Sequence, residues 1–346
     1  MTALNDALQS LVETEQAKSG GQALLLCVQS GDGGVDFRGG AGVSTPELRF
    51  PIASISKMFT GALILQLADE GRITLDQTAQ GVLTDVDLSD LHFVKGLAYG
   101  PKLTIRHLLF QTSGLADYYE GGVADDIKAN RDQAYDLAAV LHWARARRPM
   151  AAPDNGRAHY SDTNFQLLGG IIEEVTGDTF ANAVRDRICT PLGLANTFAF
   201  EPKRDAGDAI LPLYHKAQRL DVPQTLASMG PDGGIVSNLN DLMVFLRAHL
   251  EGRLFSPDRT KHLHDWRKMT FPLQYGGGLM RFQLPSWMTL WQGSPELIGH
   301  SGASASFAYH APQRDIFLVG TYNQTDLPKR PFGFMMQVLK MLERRA

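Results

Sequence analysis

A chain of 346 residues is longer than one hydrophobic core ordinarily fills, so two structural layers or lobes are expected. With 44% hydrophobic and 20% charged residues, it has ordinary globular composition and ample apolar material for a core. Lys plus Arg number 33 against 37 Asp plus Glu, a formal charge of −4, and the short basic cluster Arg145, Arg147 and Arg148 reads as a solvated helix end, which excludes a nucleic-acid partner.

The opening residues, Met1 to Asp6, have neither a basic start nor a long apolar stretch, so they do not read as a signal peptide. No run of about 18 apolar residues exists, so no membrane span is expected and the chain reads as cytoplasmic. Leu4, Leu8, Leu11 and Val12 share one face of a helix over 4–17, which Gly20-Gly21 ends. Residues 22–30 and 35–43 read as two strands joined by Gly31-Asp32-Gly33-Gly34, whose Asp-Gly step favours a hairpin turn. Cys27 sits inside the apolar run from Leu24 to Val28 and reads as a small buried hydrophobe. Neither Cys27 nor Cys189 belongs to a CxxC pair, so no zinc or disulfide framework is expected.

From Ser54 to about Glu70 the pattern is helical, with Gly71 as the stop. Residues 72–215 read as mainly helical and loop-rich, with helices over 104–109, 163–175 and 180–188, the last closed by Pro191. A further helix follows over 238–250. Strand signals return at 278–284, 306–310 and 316–322, and the segment 332–345 is helical. The expected fold class is α+β: strands from both chain ends pair into one antiparallel sheet flanked by helices. Residues 1–70 and 216–346 would form an α/β lobe and 71–215 an inserted, mainly helical lobe, with a ligand in the cleft between them.

Ser54 and Lys57 stand three residues apart, on one face of the predicted helix, so the lysine can reach back toward the serine hydroxyl. At a helix N-terminus, backbone N–H groups and the helix dipole favour a developing negative charge. A serine is a weak nucleophile and needs an adjacent base. Two further pieces stand later in the chain: Tyr160-Ser161-Asp162 before a helix, and Gly299-His300-Ser301-Gly302-Ala303 before a predicted strand.

Together these residues resemble the serine β-lactamase, penicillin-binding protein and esterase superfamily, closest to its branch of class C β-lactamases, D-alanyl-D-alanine carboxypeptidases and related esterases. That family carries S-x-x-K, then Y-x-N, then K-T-G or H-T-G. Here they stand as Ser54-x-x-Lys57, Tyr160-x-Asp162 and His300-Ser301-Gly302. The stretches Thr104 to Leu109 with Thr112-Ser113-Gly114-Leu115, Leu167 to Glu173, Pro191 to Leu194 and Gly233 to Ser237 with Asp241-Leu242 match as well, so the resemblance covers residues 20–322.

The resemblance implies an acyl-enzyme hydrolase. Ser54 is its nucleophile, Lys57 and Tyr160 handle the proton, and the backbone N–H groups of Ser54 and Ala303 form the oxyanion hole. Asp162, His300, Ser301 and Gly302 serve substrate binding or electrostatics. It implies no cofactor and no metal, and a small-molecule ester, amide or lactam as substrate; the oligomeric state is left open. Two departures matter. Asp162 in place of Asn favours the ammonium form of Lys57 and moves the proton-accepting role toward Tyr160. His300 in place of Lys points to a peptidase or esterase rather than an efficient β-lactamase, because a neutral His near pH 7 supplies less positive charge than lysine and only its protonated form adds a second cation beside Tyr160. The alternative is a catalytically silent ligand-binding or sensor module on the same fold, against which intact Ser54, Lys57 and Tyr160 argue.

Other patterns carry less. No G-x-S-x-G occurs, so no nucleophile elbow is present. His262-Leu263-His264-Asp265 lacks further ligands at metal spacing, and Asp85 to Asp90 lacks the glycine and glutamate of a calcium loop. Tyr118, Tyr119, Trp291 and Phe307 are candidate pocket aromatics, with pocket shape set by loops near 116–130 and 270–296.

Overall fold

The first helix, Thr2–Ser19, places Leu8 and Val12 wholly out of solvent and stops where Gly20 takes a φ of 68°, open to glycine without strain. The structure, a computed structural model, describes residues 2–42, 45–205, 209–285 and 295–344. The strands Ala23–Ser30 and Asp36–Gly42 follow, paired antiparallel with Leu25 opposite Gly40. Ala23–Ser30 is almost continuously buried, as its apolar sequence requires of a strand covered on both faces.

That strand also pairs with Ile316–Thr321, so the two chain ends meet in one sheet as expected. The order across the sheet is Arg267–Lys268, Leu273–Tyr275, Met280–Phe282, Leu297–Ser301, Ser306–Ala311, Ile316–Thr321, Ala23–Ser30 and Asp36–Gly42, with every pairing antiparallel. Phe332 and Phe334 of the last helix, Arg330–Glu343, meet Tyr309 and Phe307 on one face. Arg247 of the helix Leu239–Leu250 lies over Phe317, which stacks on His310, so this helix covers the other face. Among the described residues, no helix is long and apolar enough to cross a membrane.

Three expectations need correction. The segment 299–303 does not merely precede a strand: Gly299, His300 and Ser301 end the strand Leu297–Ser301. A Cβ on Gly299 would lie 1.9 Å from the Ala308 carbonyl oxygen, so the close strand pairing requires a glycine there. Pro191 does not close its helix. Phe180–Val184 continues through a π-helical turn, Arg185–Cys189, into Thr190–Leu192, where a proline early in the turn loses no needed donor, and Gly193 with φ 69° ends it. A small sheet of Phe50–Pro51, Ile235–Ser237 and Phe198–Ala199 went unread, because strands of two or three residues show no alternation.

That small sheet matters for function. Phe50 pairs with Ser237 and Pro51 with Val236, which fixes the chain entering Ser54 against the chain leaving Asp232. From Ser54 the chain makes a 3₁₀ turn, Ala53–Ile55, and then the helix Ser56–Asp69. Every residue from Ser56 to Leu65 is buried, as expected of a helix apolar on all sides. Phe59 stacks on Phe245 with ring centroids 3.5 Å apart, joining it to the helix Leu239–Leu250.

Candidate active site

Ala53 has a φ of 48°, a left-handed conformation that non-glycine residues rarely hold. This turn leaves Ser54 partly exposed between the buried residues Ala53 and Ile55. Lys57 is 0% exposed. Its ammonium donates to the Asp232 carbonyl oxygen at 2.7 Å and forms an ion pair with the Asp162 carboxylate. It also lies over the rings of Tyr160 (5.1 Å to the centroid) and Phe165 (5.5 Å). Burial works against the charge, but the paired Asp162 carboxylate, with the nearby Asp232 when it is ionised, outweighs it and raises the lysine above its ordinary range. Lys57 is therefore held as an ammonium. It meets Tyr160 through the ring face, while the Tyr160 hydroxyl takes no hydrogen bond.

Tyr160 brings its hydroxyl near Ser54. The serine favours the phenolate there, but no partner meets the buried Tyr160 oxygen in hydrogen-bond geometry. Burial, then the charge of Asp162, push this phenol well above its ordinary range, so it rests protonated.

Asp162 opens the helix Asp162–Thr176, and a dense set of bonds fixes it. Its N–H donates to Asp117 Oδ1, while Ser161 and Thr163 both donate to the Ala116 carbonyl. The Ser161 N–H and the Asn164 amide converge on Gln111 Oε1, and the Ser113 hydroxyl donates to Asn164 Oδ1. The segment 111–118 is thereby fastened to the helix tip that carries Asp162.

The strand Leu297–Ser301 and the turn after it pack against the residues before Ser54. The Ser304 hydroxyl donates to the Pro51 carbonyl at 3.1 Å and the Ser306 hydroxyl to the Ile52 carbonyl at 2.7 Å. The Ala303 N–H has no acceptor among the described residues. His300 is fully buried; Nδ1 donates to the Ser301 carbonyl at 2.8 Å, leaving Nε2 as the acceptor facing the Tyr275 hydroxyl at 3.5 Å. Burial, then the Lys57 charge, drive His300 down to about 3, so it is neutral and adds no second cation beside Tyr160. The Ser301 hydroxyl points to Met280 Sδ within the sheet, at 3.7 Å.

The structure thus brings Ser54, Lys57, Tyr160, Asp162, His300 and Gly302 together. It adds residues that sequence reasoning missed. Tyr275 sets its ring against both Tyr160 (5.8 Å) and His300 (5.9 Å), and Asp117 and Asp232 bring two more carboxyls toward Lys57. The segment around Gly233-Gly234 carried a sequence signal for this region, but nothing marked its neighbour Asp232. Of the candidate pocket aromatics, Tyr118 is buried behind Asp232 and Phe307 lies in the sheet core, while Trp291 lies outside the described residues.

A profile of the family described as Beta-lactamase matches residues 8–334. The chain belongs to the β-lactamase family. It is 29% identical over 289 residues to penicillin-binding protein 4 of Amycolatopsis lactamdurans, covering 80% of this chain and 72% of that protein. It spans about half the length of other curated relatives it matches. A D-stereospecific amidohydrolase from Streptomyces sp. superposes with a TM-score of 0.76 at 28% identity, over 93% of this chain and 94% of that one. A D-amino acid amidase from Ochrobactrum anthropi SV3 superposes with a TM-score of 0.81 at 22% identity, over 99% and 100%, a likeness of fold. The chain is an enzyme of the β-lactamase-like serine hydrolase type, acting on amide or ester bonds.

Within this β-lactamase-family site, Gly302 has no room for a side chain. A Cβ there would lie 2.3 Å from Ser306 Oγ, 2.6 Å from the Ile52 carbonyl oxygen and 2.9 Å from Ala53 Cβ. Gly302→Ala is expected to push Ala303 away from Ser54 and lower kcat about a hundredfold, the scale of a lost oxyanion donor. Steady-state kinetics alongside a thermal melt check this: a kcat within threefold of wild type would show that the tight contact does not set the site.

Proposed function

We propose that Ser54 attacks the carbonyl carbon of a small amide or ester and carries the acyl group until water removes it. The observation that carries this reading is the partly exposed Ser54 at the tip of a buried helix, with the Tyr160 hydroxyl beside it and the Ala303 N–H without an acceptor among the described residues. Because Tyr160 rests as a phenol and Lys57 as an ammonium, neither is a ready base. Tyr160 instead relays: its oxygen takes the Ser54 proton while its own proton passes to the departing nitrogen or oxygen. Lys57, above the Tyr160 ring, stabilises the negative charge that gathers on the phenol oxygen during the relay. The N–H groups of Ser54 and Ala303 receive the carbonyl oxygen as it becomes negative. In deacylation, Tyr160 relays a proton from water in the reverse sense.

The substrate class follows from the charge of the site. A neutral His300 offers nothing to a substrate carboxylate, and the Lys57 ammonium is already paired with the Asp162 carboxylate. Neutral or amine-bearing substrates suit this field better than the anionic penicillins. Likeness to the D-stereospecific amidohydrolase supports amides of D-configured amino acids. The reading includes the two-lobe division: residues 1–70 and 216–346 supply Ser54 and Ala303, residues 71–215 supply Tyr160, and the substrate enters between them.

A side-by-side assay with p-nitrophenyl acetate, D- and L-phenylalanine amide and nitrocefin tests this. The ester and the D-amide are expected to turn over, with nitrocefin at least about a hundredfold lower in kcat/KM. Nitrocefin as the best of the four would overturn the substrate reading.

A further inference from the structure

We propose that the Asp232 side chain is a positioning residue for the reaction, a buried carboxyl behind Lys57 that sets the charge around the ammonium facing Tyr160 and exchanges its proton with solvent through Tyr118 and Tyr135. The proposal rests on the catalytic reading above and assigns the control of its pH dependence.

Asp232 is 0% exposed and touches Lys57 through its backbone, whose carbonyl accepts the ammonium. Its side chain turns elsewhere. The Tyr118 hydroxyl donates to Oδ2 at 2.8 Å and the Gln166 amide donates to the same oxygen at 3.0 Å. Oδ1 takes no hydrogen bond. Two donors fall on one oxygen and none on the other, so an ionised side chain would hold a buried charge with half of its acceptors unmet. The Tyr118 hydroxyl continues to the Tyr135 hydroxyl at 3.1 Å, and Tyr135 is half-buried. A chain of hydroxyls thus runs from the carboxyl toward the surface.

The groups facing this carboxyl can be counted. The nucleophile helix contributes Lys57. The helix Asp162–Thr176 contributes Asp162 and Gln166, and the segment before it contributes Tyr160. The segment 117–119 contributes Asp117, Tyr118 and Tyr119, Tyr135 lies beyond, and the short helix Gly230–Gly233 holds no other titratable group. One ammonium pairs with Asp162, and His300 is neutral. A second buried carboxylate has no counter-charge, so burial, then Asp162, push Asp232 up to about 8, and Asp117 likewise.

At neutral pH the acid form of Asp232 leaves Lys57 its full effect on Tyr160. Above about 8, ionisation sets a buried negative charge beside the pair and opposes charge on the phenol oxygen, so the rate falls.

The test measures kcat/KM for p-nitrophenyl acetate from pH 6 to 10, with background hydrolysis subtracted, in the wild type, Asp232→Asn, Asp232→Ala and Tyr118→Phe. Fluorophosphonate labelling of Ser54 is followed in the same samples. In D232N, an isostere of the acid form, the alkaline fall shrinks at least about threefold, and activity at pH 7 exceeds that of D232A at least about tenfold. In Tyr118→Phe, a lost donor to Oδ2 disfavours the carboxylate and moves the fall to higher pH. A D232N profile that superimposes on the wild type, or D232N no more active than D232A at pH 7, overturns the proposal. Wild-type enzyme that never labels on Ser54 sinks the catalytic reading instead, whatever the Asp232 variants do.

Discussion

Ser54→Ala is expected to lower kcat by at least about a thousandfold while the protein stays folded and binds substrate with little change in KM. The serine side chain is small, and the bonds anchoring its turn run from Ser304 and Ser306 to Pro51 and Ile52. What the substitution removes is the oxygen that forms the bond to the acyl carbon. The Ala303 N–H, Lys57 and Tyr160 all remain, so residual turnover reports the polarised carbonyl attacked by water alone. Stopped-flow and steady-state assays against wild type check it. A variant within tenfold of wild type would take Ser54 out of the reaction.

Lys57→Met is expected to lose activity and stability together, for different reasons. The ammonium is the counter-charge of a buried carboxylate, Asp162, and fills the Asp232 carbonyl. Removing one partner of a buried pair leaves the other uncompensated, at a cost of about 3–5 kcal/mol. Activity falls because nothing then stabilises charge on the Tyr160 oxygen. The double variant Lys57→Met/Asp162→Leu separates the effects, since an apolar pair of similar volume often matches a buried ion pair in stability. Urea melts should recover most of the lost stability in the double variant, whereas kcat should stay at the single-variant level. A stable and active single variant would mean that the lysine charge has no part in the reaction.

What was readable in the chain follows from what is local. Ser54 lies in the 3₁₀ turn that runs directly into the helix carrying Lys57, so the three-residue spacing read as helical was enough to place both at one helix tip. Thr104 and Asn238 were readable as helix starts, and each caps its helix by accepting a backbone N–H, from His107 and Asp241. The pairing of both chain ends was readable because Ala23–Ser30 and Ile316–Thr321 are apolar enough to need a covered sheet. The charge balance was not readable. Asp232 lies 175 residues from Lys57 in sequence, and Asp117 meets Asp162 across 45, so neither acid carries a local mark of the lysine it faces. His300 stands where the family motif often holds lysine, and the motif alone leaves its charge open. Only its burial between Tyr275, Tyr160 and the Lys57 charge shows that it stays neutral. Tyr275 stands on a three-residue strand, too short to announce a face, yet it is the contact that ties His300 to Tyr160.

The most direct test is a crystal structure of the enzyme trapped with a fluorophosphonate. Phosphorus bonded to Ser54 Oγ, with the phosphoryl oxygen within about 3.1 Å of both the Ser54 and Ala303 nitrogens, is the predicted outcome. Phosphorus on any other side chain, or an oxygen turned away from Ala303, would contradict the assignment of a serine at this helix tip as the attacking group.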